Sequence, residues 1–160
     1  MIVVSDASPL ITLAAVGELE LLRHLFGEVL VPDCVRQEVV QANRPGAEDV
    51  VRAKWIRTVS APDDSFLMVL RTELDPGEAE AIALAFEMQA DVLLLDERSA
   101  RNLAVSMGFE VLGVAGVLLR AKGAGLLSLV RPVLDRMRTQ GGFRLSDRLY
   151  EATLSDAGEI

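Results

Sequence analysis

The sequence is poor in the residues that most often announce a function. Among 160 residues it has one cysteine (Cys34), one histidine (His24), one tryptophan (Trp55) and one tyrosine (Tyr150). A lone cysteine excludes an internal disulfide, and such usage fits a reducing compartment, so the cytoplasm is the expected location. His24 lies in an apolar stretch beside Leu25 and Phe26, with no pattern linking it to a nucleophilic serine or to Cys34, which argues against protease-type chemistry. No apolar run approaches the roughly 20 residues of a membrane helix. The N-terminus, Met1 to Asp6, lacks a basic stretch and predicts no secretory signal. Gly123 and Gly125 are not followed by Gly-Lys-Ser/Thr, which excludes a phosphate-binding loop. Trp55 and Tyr150 are too few to suggest a base-stacking platform.

What is present is a core and an uneven charge. A hydrophobic content of 51% and a length suited to one domain predict a folded globule rather than a disordered chain. The net charge of −8 would by itself discourage a nucleic-acid partner. The average conceals two halves: residues 1–97 carry 7 Lys/Arg against 18 Asp/Glu, whereas residues 98–148 carry 9 against 3. An acidic half beside a basic half can place an anion next to a carboxylate cluster, although scattered solvated charges give the same totals.

Hydrophobic patterning and punctuation predict alternating strands and helices. Strands are expected at Ile2–Ser5, Glu28–Val31, Ile56–Val59, Val92–Leu95 and Glu110–Leu112. Helices are expected between them, with Pro9, Pro32 and the Asp75-Pro76-Gly77 run marking helix starts. Further helical patterns cover 114–122, 126–139 and 146–154, with Gly141-Gly142 between the last two. The 126–139 segment has a wide apolar stripe that reads as core, with a face to spare for a partner or a second copy of the chain. Strands separated by helices imply parallel crossover connections and an α/β sheet.

Parallel sheets gather ligands beyond the carboxyl ends of their strands. Two predicted strands end directly in carboxylates, Asp6 and Asp96. One such residue is commonly a helix cap. Two close together are unfavourable unless a cation or proton offsets their repulsion. Glu38, amid Val35, Val39 and Val40, sits at the edge of an apolar helix face. Glu78 and Glu80 open another helix but lie about 200° apart around it, so only one faces the site; Glu78 is favoured, with Glu80 as the alternative.

Four segments taken in order resemble the acidic motifs of the PIN-domain family: the strand leading to Asp6-Ala7-Ser8, Glu38 after a Val-Pro junction, Gly77-Glu78-Ala79-Glu80-Ala81-Ile82-Ala83-Leu84-Ala85, and Leu93-Leu94-Leu95-Asp96-Glu97. The stretches Gly113–Gly125, Leu134–Arg138 and Phe143–Tyr150 resemble a poorly characterised prokaryotic branch of the family, so the likeness covers nearly the whole chain. It implies a three-layer α/β sandwich with a central, mainly parallel sheet, as one domain over 1–160 with a helical C-terminal extension from about 126. It implies a metal-dependent endoribonuclease, as in the toxins of VapBC-type toxin–antitoxin pairs, with a small antitoxin as partner. Asp6, Glu38, Glu78 and Asp96 take the family's acidic positions, Glu97 is a fifth carboxylate, and Ser8 supports the first acid. Many members carry Asp at the third position, where this chain offers Glu78 or Glu80.

The chemistry is consistent with that likeness. Mg²⁺ and Mn²⁺ prefer oxygen ligands, here Asp6, Asp96 and Glu78. Such an ion polarises a phosphodiester and lowers the pKa of an attacking water. Arg98 and Arg101, on the helix after Asp96, would meet flanking phosphates of the RNA, unless they pair with nearby acids. A catalytically inactive PIN-like interaction or regulatory module is the competing reading. A receiver-type phosphoacceptor is disfavoured, because it needs an acid pair after the first strand and a lysine at a late strand end.

Overall fold

The computed structural model describes residues 1–140 and 143–160. Five strands of three residues each form its centre: β1 (Val3–Ser5), β2 (Val29–Val31), β3 (Ile56–Thr58), β4 (Val92–Leu94) and β5 (Glu110–Leu112). Valine, leucine and isoleucine dominate them because branched side chains suit a pleated surface packed on both faces. All neighbours pair in parallel, in the order β3-β2-β1-β4-β5. β1, β2 and β4 are buried along their whole length, whereas β3 and β5, at the edges, expose part of theirs.

Alternation along the strands divides the core into two layers. Val3, Val29, Val31, Val92 and Leu94 face one side. They meet α1 (Ala7–Ala15), α3 (Asp33–Gln41), α4 (Ala47–Arg52), α8 (Val114–Gly123) and α9 (Arg131–Gln140), together with α2 (Glu20–Phe26) and Leu154 of α10 (Asp147–Asp156). Val4, Leu30, Leu93 and Leu95 face the other side, against α5 (Ser65–Leu70), α6 (Pro76–Met88) and α7 (Arg98–Ser106). Helices on both faces of one parallel sheet make the three-layer α/β sandwich. At Gly46, φ is +91° and an added Cβ would lie 2.5 Å from the Ala15 nitrogen, so only glycine lets α4 pack this closely on α1.

One expected element is wrong at its start. The helix read over 126–139 begins at Arg131, and residues 126–130 are not helical. Pro132 lies in the first turn of the real helix, the only turn where proline is readily accepted; a helix from 126 would bury it in the interior. Gly125, at φ +78°, also turns the chain away after α8. Of the proposed apolar stripe, Val130, Val133, Leu134 and Met137 are buried, whereas Leu126 and Leu129 are exposed. Gly141-Gly142, read as the break before the last helix, lies outside the described residues. Among the described residues no helix is long and apolar enough to cross a membrane.

The topology creates a special place between β1 and β4. From β1 the chain steps to β2 and β3 on one side; it then returns to place β4 and β5 on the other. The connections leaving β1 and β4 therefore diverge, opening a crevice at their carboxyl ends. Asp6 and Asp96 stand at its two lips.

Candidate active site

The crevice holds a cavity of about 420 Å³ with six carboxylates on its walls: Asp6, Glu38, Asp75, Glu78, Asp96 and Glu97. Ser8, Arg101, Gly113 and residues of the C-terminal segment complete the lining. The six acids arrive from four pieces of local structure. Asp6 follows β1 directly, and its backbone N–H donates to the Leu94 carbonyl at 3.1 Å, fixing it beside β4. It occupies the N-cap position of α1, yet its side chain caps nothing there. Glu38 comes from α3, and its side chain is exposed.

Asp75 and Glu78 form the reciprocal cap that starts α6. The Glu78 N–H donates to Asp75 Oδ1 at 2.8 Å, and the Asp75 N–H donates to Glu78 Oε1 at 3.3 Å. Glu80 turns the other way, away from the cavity. Its Oε1 accepts the Cys34 N–H at 3.2 Å, and its Oε2 accepts from the Cys34 thiol at 2.7 Å and from Arg71 Nη2 at 3.3 Å. Glu78 is thus the acid of the pair that reaches the crevice, while Glu80 ties α6 to the start of α3. Burial and the bond to Glu80 push the Cys34 thiol up to about 11, which makes it an unreactive group.

Asp96 is held from one side only. Its Oδ1 accepts the Val114 N–H at 2.9 Å, at the start of α8, whose own N-cap residue Gly113 has no side chain to offer. Asp96 Oδ2 and Asp6 Oδ1 are buried without any hydrogen-bond partner. Buried carboxylate oxygens are nearly always paired, so two orphans at one crevice point to something that completes them. Glu97 accepts the Ser99 N–H at 3.3 Å and caps α7 while lining the cavity.

The electrostatics agree with an incomplete site. Asp6 is raised from the ordinary 3.8 to about 7, chiefly by burial; the Ala7 N–H opposes the rise, while Glu38, Asp75 and Glu78 add to it. Burial also lifts Glu38 and Glu78, with Asp75 reinforcing both. Asp96 is lifted by burial as well, against the pull of the Val114 N–H and Arg101. Each of these carboxylates would be easier to ionise with a cation in place.

Two glycines missed in the sequence make the crevice possible. A Cβ on Gly77 would lie 2.9 Å from Glu38 Oε1 and 3.2 Å from Asp6 Oδ1. A Cβ on Gly113 would lie 2.8 Å from Asp96 Oδ1 and 3.0 Å from Arg101 Nη1. Asp75 was also missed as a wall of the site, because its capping role explained it completely. The available signal was position: both glycines stand at the start of a helix, and Gly77 directly precedes Glu78.

Among the described residues, no group of three or more Asp, Glu, His or Cys side chains is arranged to hold a metal ion as it stands. The donor chemistry nevertheless fits Mg²⁺ or Mn²⁺. The donors are oxygens, two are orphaned and fixed in place, and Glu38 is exposed and long enough to move inward. A family model described as a PIN domain matches residues 2–159.

The chain belongs to the PIN-domain family.

PIN domains are generally nucleases that use divalent metal ions, so a nuclease-type function is supported for this one. No curated protein and no solved structure matches the chain. Two further cavities share walls with the PIN-domain crevice. One, of about 390 Å³, joins it at Asp96 and Arg101 and is lined by Arg98, Asn102 and Val105. The other, of about 350 Å³, joins it at Glu38 and Asp75 and reaches Cys34, Gln37 and Gln41. The acids therefore sit in the middle of a longer depression. Arg98 and Arg101 are both exposed, and neither makes an ion pair among the described residues.

Proposed function

We propose that this PIN domain is a metal-dependent endoribonuclease that acts as the toxin of a type II toxin–antitoxin pair. The observation that carries the nuclease reading is the pair of strand-end acids, buried Asp6 and half-buried Asp96, each with a buried oxygen that nothing in the protein completes. Asp6, Asp96 and Glu78 would hold Mg²⁺ or Mn²⁺, which polarises a phosphodiester and acidifies an attacking water. Glu38 is placed to take the proton from that water at Oε1, the oxygen facing the Gly77 cradle. Asp75 and Glu97 deepen the negative field that favours a divalent cation. Arg101, and Arg98 in the adjoining cavity, meet the flanking phosphates of a strand lying along the depression.

The toxin role rests on the likeness of the acidic motifs to PIN domains, a family that includes the toxins of VapBC-type pairs. That likeness implies a small antitoxin as partner, and the exposed Leu126 and Leu129 ahead of α9 offer a place for a second copy of the chain. A short reading frame just upstream, whose product co-purifies with this chain and blocks cleavage, would support that role.

The test of the nuclease reading is cleavage of RNA by the purified, partner-free protein with Mn²⁺. Asp6→Asn and Asp96→Asn should fold and lose at least about 100-fold in rate, since even groups behind the direct ligands are worth 10- to 100-fold. A second reading, an inactive PIN-like interaction module, draws on the lack of a preassembled three-acid group. A Mn²⁺ titration separates the two: an enzyme is stabilised against heat by the ion through Asp6 and Asp96, and a relic need not be. Folded protein that neither binds Mn²⁺ nor cuts RNA would leave the second reading standing alone.

A further inference from the structure

Another part of the cavity lining has a different chemistry from the carboxylates. It is built by the C-terminal segment: Met137 from α9, then Phe143, Arg144 and Leu145, and Leu149 from α10. Phe143 and Leu145 are half-buried and pack on the core, yet present part of their surface to the cavity, and Leu149 is exposed. Arg144 is exposed and makes no ion pair among the described residues. An apolar surface in a cavity with six acids has no use for a metal ion, because it offers no donor oxygen. It suits a flat, weakly hydrated group, and the arginine beside it suits an anion.

The helix that carries Leu149 is firmly anchored. Glu159, beyond α10, accepts the Val130 N–H at 2.8 Å, the Arg131 N–H at 3.1 Å and Lys122 Nζ at 2.9 Å. Tyr150 donates its hydroxyl to Asp135 at 2.7 Å, and the Arg138 guanidinium lies 3.5 Å from the Tyr150 ring centroid. These bonds fix α10 to α9 and to the end of α8, and so set where Leu149 stands. The cavity volume of about 420 Å³ is near the lower end of the roughly 300–1,000 Å³ that encloses a small ligand. That is room for one nucleotide.

We propose that Phe143, Leu145 and Leu149 form a subsite for one unstacked nucleobase beside the scissile phosphate, with Arg144 on that nucleotide's phosphate. The proposal rests on the nuclease reading and adds to it a place for one base of the substrate, unstacked so that it enters the cavity. The overall scarcity of aromatics is no obstacle, because one ring serves one base. Stacking on a single aromatic side chain is worth roughly 5- to 100-fold in binding and tolerates any base.

The experiment compares strands that differ only in a base. The intact protein with Mn²⁺ is given a single-stranded RNA, the same strand with an abasic residue on either side of the cut, and its duplex. The abasic residue on one side should raise KM about ten-fold with kcat little changed, and the duplex should stay uncut. Phe143→Leu, which keeps apolar packing, should raise KM for the intact strand by a similar factor and add nothing for the abasic one. Because the abasic strands need no protein variant, the result survives any folding defect of Phe143→Leu. Equal KM for the intact and both abasic strands would overturn the subsite while leaving the nuclease reading intact. If no strand is cut, the nuclease reading fails, and anisotropy of the same labelled strands on metal-free protein decides the subsite. Binding about ten-fold tighter for the intact strand upholds it, and equal binding overturns it.

Discussion

Two kinds of buried or half-buried carboxylate occur in this molecule, and the contrast separates structure from function. Glu80 and Glu159 are each surrounded by donors: Cys34 and Arg71 for the first, and two backbone N–H groups and Lys122 for the second. Burial works to raise Glu159, but the Val130 N–H, Lys122 and the Arg131 N–H outweigh it and hold the group below its ordinary value. Asp6 and Asp96 are as enclosed, yet each keeps an oxygen with no partner, and both are raised. A carboxylate that the protein has satisfied is holding elements together. One that the protein has buried and left unsatisfied is held ready for something else.

The sharpest way to break that contrast lies within one helix. Glu78 and Glu80 are two residues apart on α6, and both are buried. Glu78→Gln should lower RNA cleavage by about 100-fold or more while leaving the fold intact, because it removes charge from the crevice. Glu80→Gln should leave cleavage within a few-fold. Its amide oxygen can still accept the Cys34 N–H, and the partly exposed Arg71 pair is worth no more than about 1 kcal/mol. If the two variants lose activity equally, the distinction between an acid that lines the crevice and one that ties elements together has no functional meaning here.

The second effect is on stability against pH, and its sign differs between the two kinds. Asp6 binds its proton more tightly folded, at about 7, than unfolded, at 3.8. Between those values the folded state holds more protons, so metal-free stability falls as pH rises from about 4 to 7, by up to a few kcal/mol. Glu38, Glu78 and Asp96 are raised and act in the same direction. Glu159, lowered from 4.5, contributes stability that is present above about 4.5 and lost as pH falls through its folded value. Thermal melts without metal should therefore lose stability from pH 5 to 8. Asp6→Asn should flatten that slope, and Mn²⁺ should reverse it, since metal binding needs the carboxylates ionised. A slope unchanged in Asp6→Asn would remove Asp6 as its source.

The strand-end acids were legible because the signal is local: an apolar run that stops at a carboxylate, as in Val92–Leu95 before Asp96. The 3.6-residue turn of a helix was enough to say that only one of Glu78 and Glu80 could face the crevice. Other parts depend on distant pieces meeting. Asp75 looks like a helix cap in sequence and is one, and nothing nearby tells that Glu38 lies across from it. Phe143 and Arg144 reach the site only because the chain around α9 and α10 returns to the cavity that Asp6 also lines, a meeting of chain positions too far apart for periodicity to register. The misplaced start of α9 had a local signal, Pro132, but the apolar stripe through 126–130 overrode it.

Gly77 offers the smallest change and the finest test, because stability and function should move apart. It lies in the first turn of α6, where alanine is favoured over glycine by at most about 1 kcal/mol. The new methyl would lie 2.9 Å from Glu38 Oε1 and 3.2 Å from Asp6 Oδ1. The Glu38 end can swing aside, whereas Asp6 is buried and has less freedom. Gly77→Ala should accordingly melt within a few degrees of the parent, without metal, and on the higher side if Glu38 moves freely. Mn²⁺ affinity and cleavage should fall by about ten-fold, since the methyl occupies the space between two of the proposed site's acids. Unchanged Mn²⁺ affinity in a well-folded Gly77→Ala protein would show that the ion, if bound, lies elsewhere along the crevice. The unsatisfied oxygen of Asp6 would then need another partner.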